Sequence, residues 1–142
     1  MLHSDLIPLI PMLGKPRVCA VSYLNTSPLV WGLLHGPQKG ASDLSFAVPS
    51  ICAQRVLQGV AEVGLIPVIE IQRHDLSTVP EVGIACRGPV RSILLVSRTP
   101  FDRIRTLATD QGSRTSVQLA RIILHRKYGA EPRVFPAEPD PV

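Results

Sequence analysis

Short apolar stretches alternate along the chain with segments whose apolar residues recur at helical spacing. The first stretch, residues 17–21, contains β-branched residues and predicts a buried strand. A polar loop follows, and Ser27-Pro28 then predicts a helix over residues 28–35 that ends at Gly36. Serine can accept a hydrogen bond from a free N–H of the first turn, so we expect Ser27 to be the N-cap.

The same order of elements recurs downstream. Residues 43–48 alternate polar and apolar side chains, as a half-buried strand does, and Ser50 is the expected cap of the next helix. Residues 62–67 predict a third strand, in which Gly64 permits a close backbone approach, and residues 68–74 predict one or two helical turns. This alternation predicts βαβ units with parallel strands, and so an α/β fold.

The second half of the chain continues the pattern less regularly. The remaining predicted elements are strands over residues 82–86, 92–97, 106–110 and 133–135 and a helix over residues 117–128. The predicted buried helix positions are Leu29, Trp31 and Leu33, then Ile51, Val56 and Leu57, and finally Leu119, Ala120, Ile123 and Leu124. Gly129 is the expected end of the last helix.

Composition and charge narrow the class of protein. The chain has 142 residues, of which 45% are hydrophobic and 18% charged, enough for one ordinary domain with a core. The net charge of +4 is spread over many segments and aromatic residues are only 4%, which argues against a nucleic-acid surface and favours a small anionic ligand.

Cysteines and apolar runs bear on the compartment. Cys19, Cys52 and Cys86 form no CxxC pair, and buried free thiols in a reducing compartment are the expected arrangement for two of them. Residues 1–16 predict a loose lead-in, because the apolar run lacks a positively charged start and is interrupted by prolines. No apolar run approaches the length of a membrane span, so we expect no membrane association.

Two strand–loop–helix junctions carry the candidate chemistry. The loops offer Ser22, Asn25, Thr26 and Ser27 at the first junction and Thr115 and Ser116 at the second. The positive end of each helix dipole and these neutral donors could bind an anion, although the same residues could simply cap and turn.

Charged residues offer weaker candidates. Arg91 could hold a carboxylate through two hydrogen bonds, or it could be a solvated surface charge. Glu70 and His74 lie at i, i+4 spacing; a metal site would need more ligands, so we interpret them as a solvated ion pair.

Four motifs, taken in order, resemble those of a known family. They are Ser22-Tyr23-Leu24-Asn25-Thr26-Ser27-Pro28-Leu29, Gly64-Leu65-Ile66-Pro67-Val68-Ile69-Glu70, Arg87-Gly88-Pro89-Val90-Arg91-Ser92 and Thr115-Ser116. The sequence resembles chorismate dehydratase, a lyase of the futalosine route to menaquinone, from about residue 17 to the end of the chain.

The resemblance implies a type II periplasmic-binding-protein-like fold with two lobes and mostly parallel sheets, used in the cytoplasm. Chorismate would lose its ring hydroxyl and a ring proton to give 3-[(1-carboxyvinyl)oxy]benzoate and water. The resemblance makes Asn25 and Ser92 the catalytic candidates. It places the substrate at Ser22, Thr26, Ile66, Arg91, Thr115 and Ser116. We expect neither a cofactor nor a metal.

Length is where the sequence departs from this family. Its members are about twice as long, so we expect residues 17–98 to form an incomplete first lobe and residues 99–142 the start of a second. Exposed sheet edges and self-association are then expected. A non-catalytic carboxylate-binding module and an inactive fragment of such an enzyme remain alternative interpretations.

Overall fold

A computed structural model describes residues 14–138 and places β1 at the centre of a three-stranded sheet. Strand β1 (Arg17–Val21) pairs in parallel with β2 (Asp43–Ala47) on one side and with β3 (Val63–Gly64) on the other. In the register, Val21 lies opposite Ala47 and Cys19 opposite Gly64. The predicted parallel pairing is confirmed.

A second, smaller sheet forms from the later part of the chain. Strands β4 (Thr106–Thr109) and β5 (Arg133–Pro136) pair in parallel, and a long helix connects them in the sequence. The helices are α1 (Ser27–His35), α2 (Pro49–Leu57), α3 (Val68–Arg73) and α4 (Arg114–Tyr128), with short 3₁₀ helices at Leu24–Thr26 and Phe101–Arg103. Gly129 ends α4 with a φ of 63°, the left-handed cap that glycine favours.

Each sheet packs on its own apolar cluster. The first cluster joins Cys19 and Val21 of β1 with Cys52 of α2 and Ala61, and Val56 and Ile66 pack against it. The second cluster consists of Leu107, Leu124 and Ala130, with the following residues packed against it: Leu95, Phe101, Ile104, Ala120, Tyr128 and Val134. Two separate small cores therefore hold the two sheets.

Gly64 shows why one backbone position in the first core needs glycine. A Cβ placed on Gly64 would lie 2.5 Å from Cγ2 of Val56 and 3.7 Å from the carbonyl oxygen of Cys19. The helix α2 therefore packs directly on the backbone of β3, and the predicted close approach is confirmed.

The helix starts differ from the predicted ones. Helix α1 has Thr26 rather than Ser27 at the N-cap, and α2 has Val48 rather than Ser50. In the described part of the chain, neither cap residue makes a side-chain capping bond. A 3₁₀ turn precedes α1 and Pro49 opens α2, so the two serines already lie inside the first helical turn.

The buried sides of the helices also differ from the expected positions. Val30 is the buried residue of α1, whereas Trp31 is exposed by 59%. In α2 the small residues Cys52 and Ala53 are buried, and Leu124 is the buried residue of α4. The expected core positions that are exposed are Trp31, Ile51, Leu57, Leu119 and Ile123. In α2, the small side chains of Cys52 and Ala53 allow close packing, and the larger Ile51 and Leu57 lie outside.

The two strands predicted over residues 82–86 and 92–97 are wrong, because no strand lies between α3 and the 3₁₀ helix at Phe101–Arg103 among residues 14–138. The side chains of this part are largely exposed, with Leu94 at 75% and Val96 at 83%. A β-branched run favours a strand locally, but it forms one only where a neighbouring strand accepts and donates its backbone bonds.

The described residues form a mixed α/β structure with parallel sheets. Their helices include none long and apolar enough to cross a membrane. Residues 1–13, which hold most of the predicted lead-in, and residues 139–142 lie outside the described range.

Candidate functional site

The carboxyl ends of the first three strands meet at one edge of the sheet. Beyond β1, the backbone N–H of Ser22 donates to the carbonyl of Ala47 at 3.0 Å. Beyond β3, the N–H of Leu65 donates to the carbonyl of Cys19 at 2.9 Å, which places Ile66 just outside the same edge. Ser22 and Ile66, which were predicted from distant motifs, therefore lie at one edge, the usual ligand side of an open parallel sheet.

The 3₁₀ turn after β1 contains two further predicted residues, one exposed and one buried. Asn25 is exposed, whereas Thr26 is only 1% exposed and its N–H donates to the carbonyl of Tyr23 at 3.0 Å. Among residues 14–138, the Thr26 hydroxyl finds no hydrogen-bond partner. A buried hydroxyl without a partner loses its hydration energy, so such a group commonly marks a place where a ligand or a water binds.

The start of α4 holds the second group of predicted residues. The helix begins at Arg114, three residues earlier than predicted, so Thr115 and Ser116 lie in its first turn rather than in a loop. The Asp110 carboxylate accepts a hydrogen bond from the N–H of Gly112 at 2.8 Å and shapes the approach to the helix. The Ser116 and Ser113 hydroxyls lie 3.4 Å apart.

Thr115 matches Thr26 in one respect. Its hydroxyl is also buried and has no hydrogen-bond partner within the described residues. Thr115 lines a cavity of about 210 Å³ between α3 and α4, together with Val68, Ile69 and Gln72 of α3. Each of the two strand–loop–helix junctions thus contributes one buried threonine hydroxyl with an unused donor and acceptor.

Glu70 is buried, so the prediction that it forms a solvated ion pair is wrong. It pairs with His74 as predicted, with Nε2 of His74 at 3.3 Å from Oε2, but its side chain is 1% exposed rather than solvated. Nη1 of Arg114 lies 3.3 Å and Nη1 of Arg73 lies 3.7 Å from Oε1 of Glu70. The spacing of Glu70, Arg73 and His74 predicts the contacts within α3, whereas the contact with Arg114 depends on the tertiary fold.

The side chains of Arg91 and Ser92 make no hydrogen bond and no salt bridge among residues 14–138. Both are exposed and lie in the segment between α3 and the 3₁₀ helix at Phe101–Arg103. The roles of Arg91, Ser92 and Asn25 therefore stay predictions.

Two contacts behind the edge fix the first sheet. The Sγ atoms of Cys19 and Cys52 lie 3.4 Å apart in the core as free thiols, as expected for buried cysteines, while Cys86 is exposed. Burial and the hydrogen bond with Cys19 raise the pKa of Cys52 to about 12. At the opposite end of β1, hydrogen bonds from the side chain and the backbone N–H of Arg17 lower the pKa of Glu62.

The chemistry of the site is that of neutral donors beside helix starts. Residues 14–138 contain no cluster of three or more His, Cys, Asp or Glu side chains that could hold a metal ion. Hydroxyl, amide and backbone N–H groups suit a carboxylate ligand, since each can donate to its oxygens.

Comparison with known protein families agrees with this chemistry. A family model described as menaquinone biosynthesis matches residues 16–142, which is nearly the whole chain. The match includes both strand–loop–helix junctions and the segment between them. The chain belongs to this menaquinone-biosynthesis family, the family of the chorismate dehydratases that its motifs resemble.

Proposed function

We propose that this chain is a chorismate dehydratase, a hydro-lyase that converts chorismate to 3-[(1-carboxyvinyl)oxy]benzoate and water. Membership in the menaquinone-biosynthesis family implies an enzyme. The observation that carries the specific proposal is the pair of buried threonine hydroxyls, Thr26 and Thr115, one at each junction. Chorismate has two carboxylates, and the two junctions offer one set of neutral donors to each.

The first junction supplies the donors at the sheet edge. Ser22, the Asn25 amide and the Thr26 hydroxyl follow β1 within five residues, so one carboxylate can be reached by several of them. Ile66 lies at the same edge and offers apolar contact to the ring. The second carboxylate would be bound by Thr115 and Ser116 in the first turn of α4, where the helix dipole favours negative charge.

The reaction is an elimination without change of oxidation state. The bond from a ring carbon to hydroxyl breaks, the C–H bond on the neighbouring ring carbon breaks, and a ring double bond forms. The proton and the hydroxide leave as water, and the ring becomes aromatic. Holding the substrate in the reactive geometry can contribute about 7–11 kcal/mol of the barrier in favourable cases.

The general base in this proposal is a carboxylate of the substrate itself. Two carboxylates lie near the second junction, and both already have partners in the protein. Asp110 accepts a hydrogen bond from the N–H of Gly112, and Glu70 is paired with Arg114 and Arg73. We assign Asn25 and Ser92 the role of orienting the substrate for its own proton transfer.

The proposed fold and compartment follow from the same assignment. Two parallel sheets with separate cores suit a two-lobed, periplasmic-binding-protein-like arrangement with the ligand between residues 17–98 and 99–142. The two buried free thiols suit a reducing compartment, and we propose the cytoplasm.

Substitution at the predicted catalytic positions tests the proposal. We expect Asn25→Ala and Ser92→Ala to lower the rate of conversion of chorismate to the aromatic product by at least about tenfold, since each removes an orienting group. The product is measured by chromatography with ultraviolet detection. Gln58→Ala and Ser77→Ala serve as matched controls, because both side chains are exposed and lie outside the proposed site.

Two outcomes would contradict the proposal. If all four variants turn over chorismate at the wild-type rate, Asn25 and Ser92 do not orient the substrate. If the wild-type protein binds chorismate without forming product, the chain is a carboxylate-binding module rather than a lyase.

A further inference from the structure

Glu70 lies at a position that no step of the proposed reaction uses. Among residues 14–138, it is the only buried side chain that carries a formal charge. Two of its partners, Arg73 and His74, lie at the end of its own helix, α3, where His74 is the C-cap. The third, Arg114, belongs to α4 and follows the second sheet's first strand.

The three partners have different consequences for the fold. Arg73 pairs with the carboxylate, and Nε2 of His74 lies 3.3 Å from it, so both contacts stay within one turn at the end of α3. Arg114 is the first residue of α4, directly before Thr115 and Ser116, so its contact with Glu70 joins the two helices at the start of α4. Helix α3 in turn begins two residues after Ile66, at the edge of the first sheet.

Charge explains why a carboxylate can lie so close to a site for a dianion. Arg114 and Arg73 pair with Glu70 and His74 lies beside it, so the two arginines compensate the charge of the carboxylate before any ligand arrives. The guanidinium of Arg114 is likewise engaged. The hydroxyl of Thr115, beside it, is buried without a partner among the described residues and remains available to a ligand.

We propose that Glu70 is a positioning residue that, through Arg114, holds the first turn of α4 at a fixed distance from α3 and from the first sheet edge. This places the donors of Thr115 and Ser116 where they meet the second carboxylate of the substrate. The inference rests on the proposed function for the identity of that substrate. The positioning of α4 can be measured without it.

The first experiment measures chorismate affinity by calorimetry in the full chain. Arg114→Gln and Glu70→Gln should each weaken binding about tenfold, and the double variant should weaken it no further, because both changes break one contact. Arg73→Gln is the matched control, since it removes an equal charge from the same carboxylate but leaves α3 and α4 joined; we expect a change below twofold. Arg114→Lys keeps the charge and should restore most of the affinity.

The second experiment measures the distance between α3 and α4 by spin labels. Labels are placed at Gln72→Cys and Arg126→Cys, with Cys86→Ser removing the exposed native thiol. Arg114→Gln should broaden the distance distribution, whereas Arg73→Gln and Arg114→Lys should leave it narrow. Circular dichroism establishes that each variant is folded.

The two experiments separate the possible failures. If the wild-type chain fails to bind chorismate while Arg114→Gln still broadens the distance distribution, the proposed function fails and the positioning role stands. If Arg114→Gln and Arg73→Gln behave alike in the distance measurement, Glu70 only balances charge within α3 and the positioning proposal is overturned.

Discussion

The three-stranded sheet and residues 76–98, called here the connecting segment, are both rich in β-branched and apolar residues, yet only the first forms strands. In the sheet, β1 has a partner on each side, and its residues Cys19 and Val21 are buried against α2 and Ala61. In the connecting segment, Val96 is exposed by 83%. Sequence preference selects an extended conformation, but a neighbouring strand is what turns it into a sheet.

The largest expected contrast between the two regions is in thiol reactivity. At neutral pH we expect iodoacetamide to modify Cys86 of the connecting segment readily and to leave Cys19 and Cys52 unmodified while the protein is folded. Burial raises the pKa of Cys52 from 9.0 to about 12, so its thiolate fraction is about a thousandfold lower than that of an ordinary thiol.

Mass spectrometry of peptides after timed alkylation measures these rates, and alkylation in denaturant serves as the control in which all three thiols react. Equal rates for Cys52 and Cys86 in the native protein would contradict the burial of the first core.

A glycine substitution in each region is expected to give a smaller contrast, in the free energy of unfolding. Gly64→Ala should lower the free energy of unfolding by about 1–3 kcal/mol, because the added Cβ would lie 2.5 Å from Cγ2 of Val56. Gly83→Ala in the connecting segment is the matched control, since a Cβ there meets no atom of the described residues within 4 Å. Urea denaturation followed by circular dichroism measures both. A Gly83 variant as unstable as the Gly64 variant would show that the connecting segment is packed.

The smallest expected effect is on the loss of stability at acidic pH. The pKa of Glu62 is lowered from 4.5 by hydrogen bonds from Arg17, so the ionised carboxylate stabilises the folded state. That stabilisation is complete above pH 4.5, the ordinary value, and is lost as the pH falls through the lowered pKa of the folded state.

Arg17→Gln should therefore flatten the fall in melting temperature below pH 4.5, although the backbone N–H of Arg17 still donates to Glu62. Arg87→Gln, at an exposed arginine of the connecting segment, should leave the acid dependence as in the wild type. If both variants follow the wild-type curve, the contact between Arg17 and Glu62 does not contribute.

Much of the fold follows from local signals in the sequence. The alternation of apolar and polar residues predicted β2. The helical spacing of apolar residues up to Gly129 predicted α4. Both patterns could be recognised because they depend on neighbours in the chain. The missing strands over residues 82–97 could not be excluded in this way, since strand formation depends on a partner far along the chain. The same limit applies to Ser27 and Ser50, which a 3₁₀ turn and Pro49 place inside their helices.

The candidate site, too, could be predicted from the sequence only in part. Ser22 and Ile66 were predicted from separate motifs, and parallel pairing of β1 with β3 brings them to one edge. Spacing predicted the pair of Glu70 and His74 but not the burial of Glu70, whose surroundings include Arg114, 44 residues further along the chain. No sequence spacing reports that distance, so tertiary structure alone identifies the contact between α3 and α4.

The most direct test of the account is conversion of chorismate by the wild-type chain itself. Folded protein is incubated with chorismate, and the loss of substrate and the appearance of 3-[(1-carboxyvinyl)oxy]benzoate are followed by mass spectrometry. We expect the two to change in equal amounts, with Asn25→Ala strongly impaired beside an active Gln58→Ala. Unchanged chorismate in the presence of a protein that is folded by circular dichroism would contradict it.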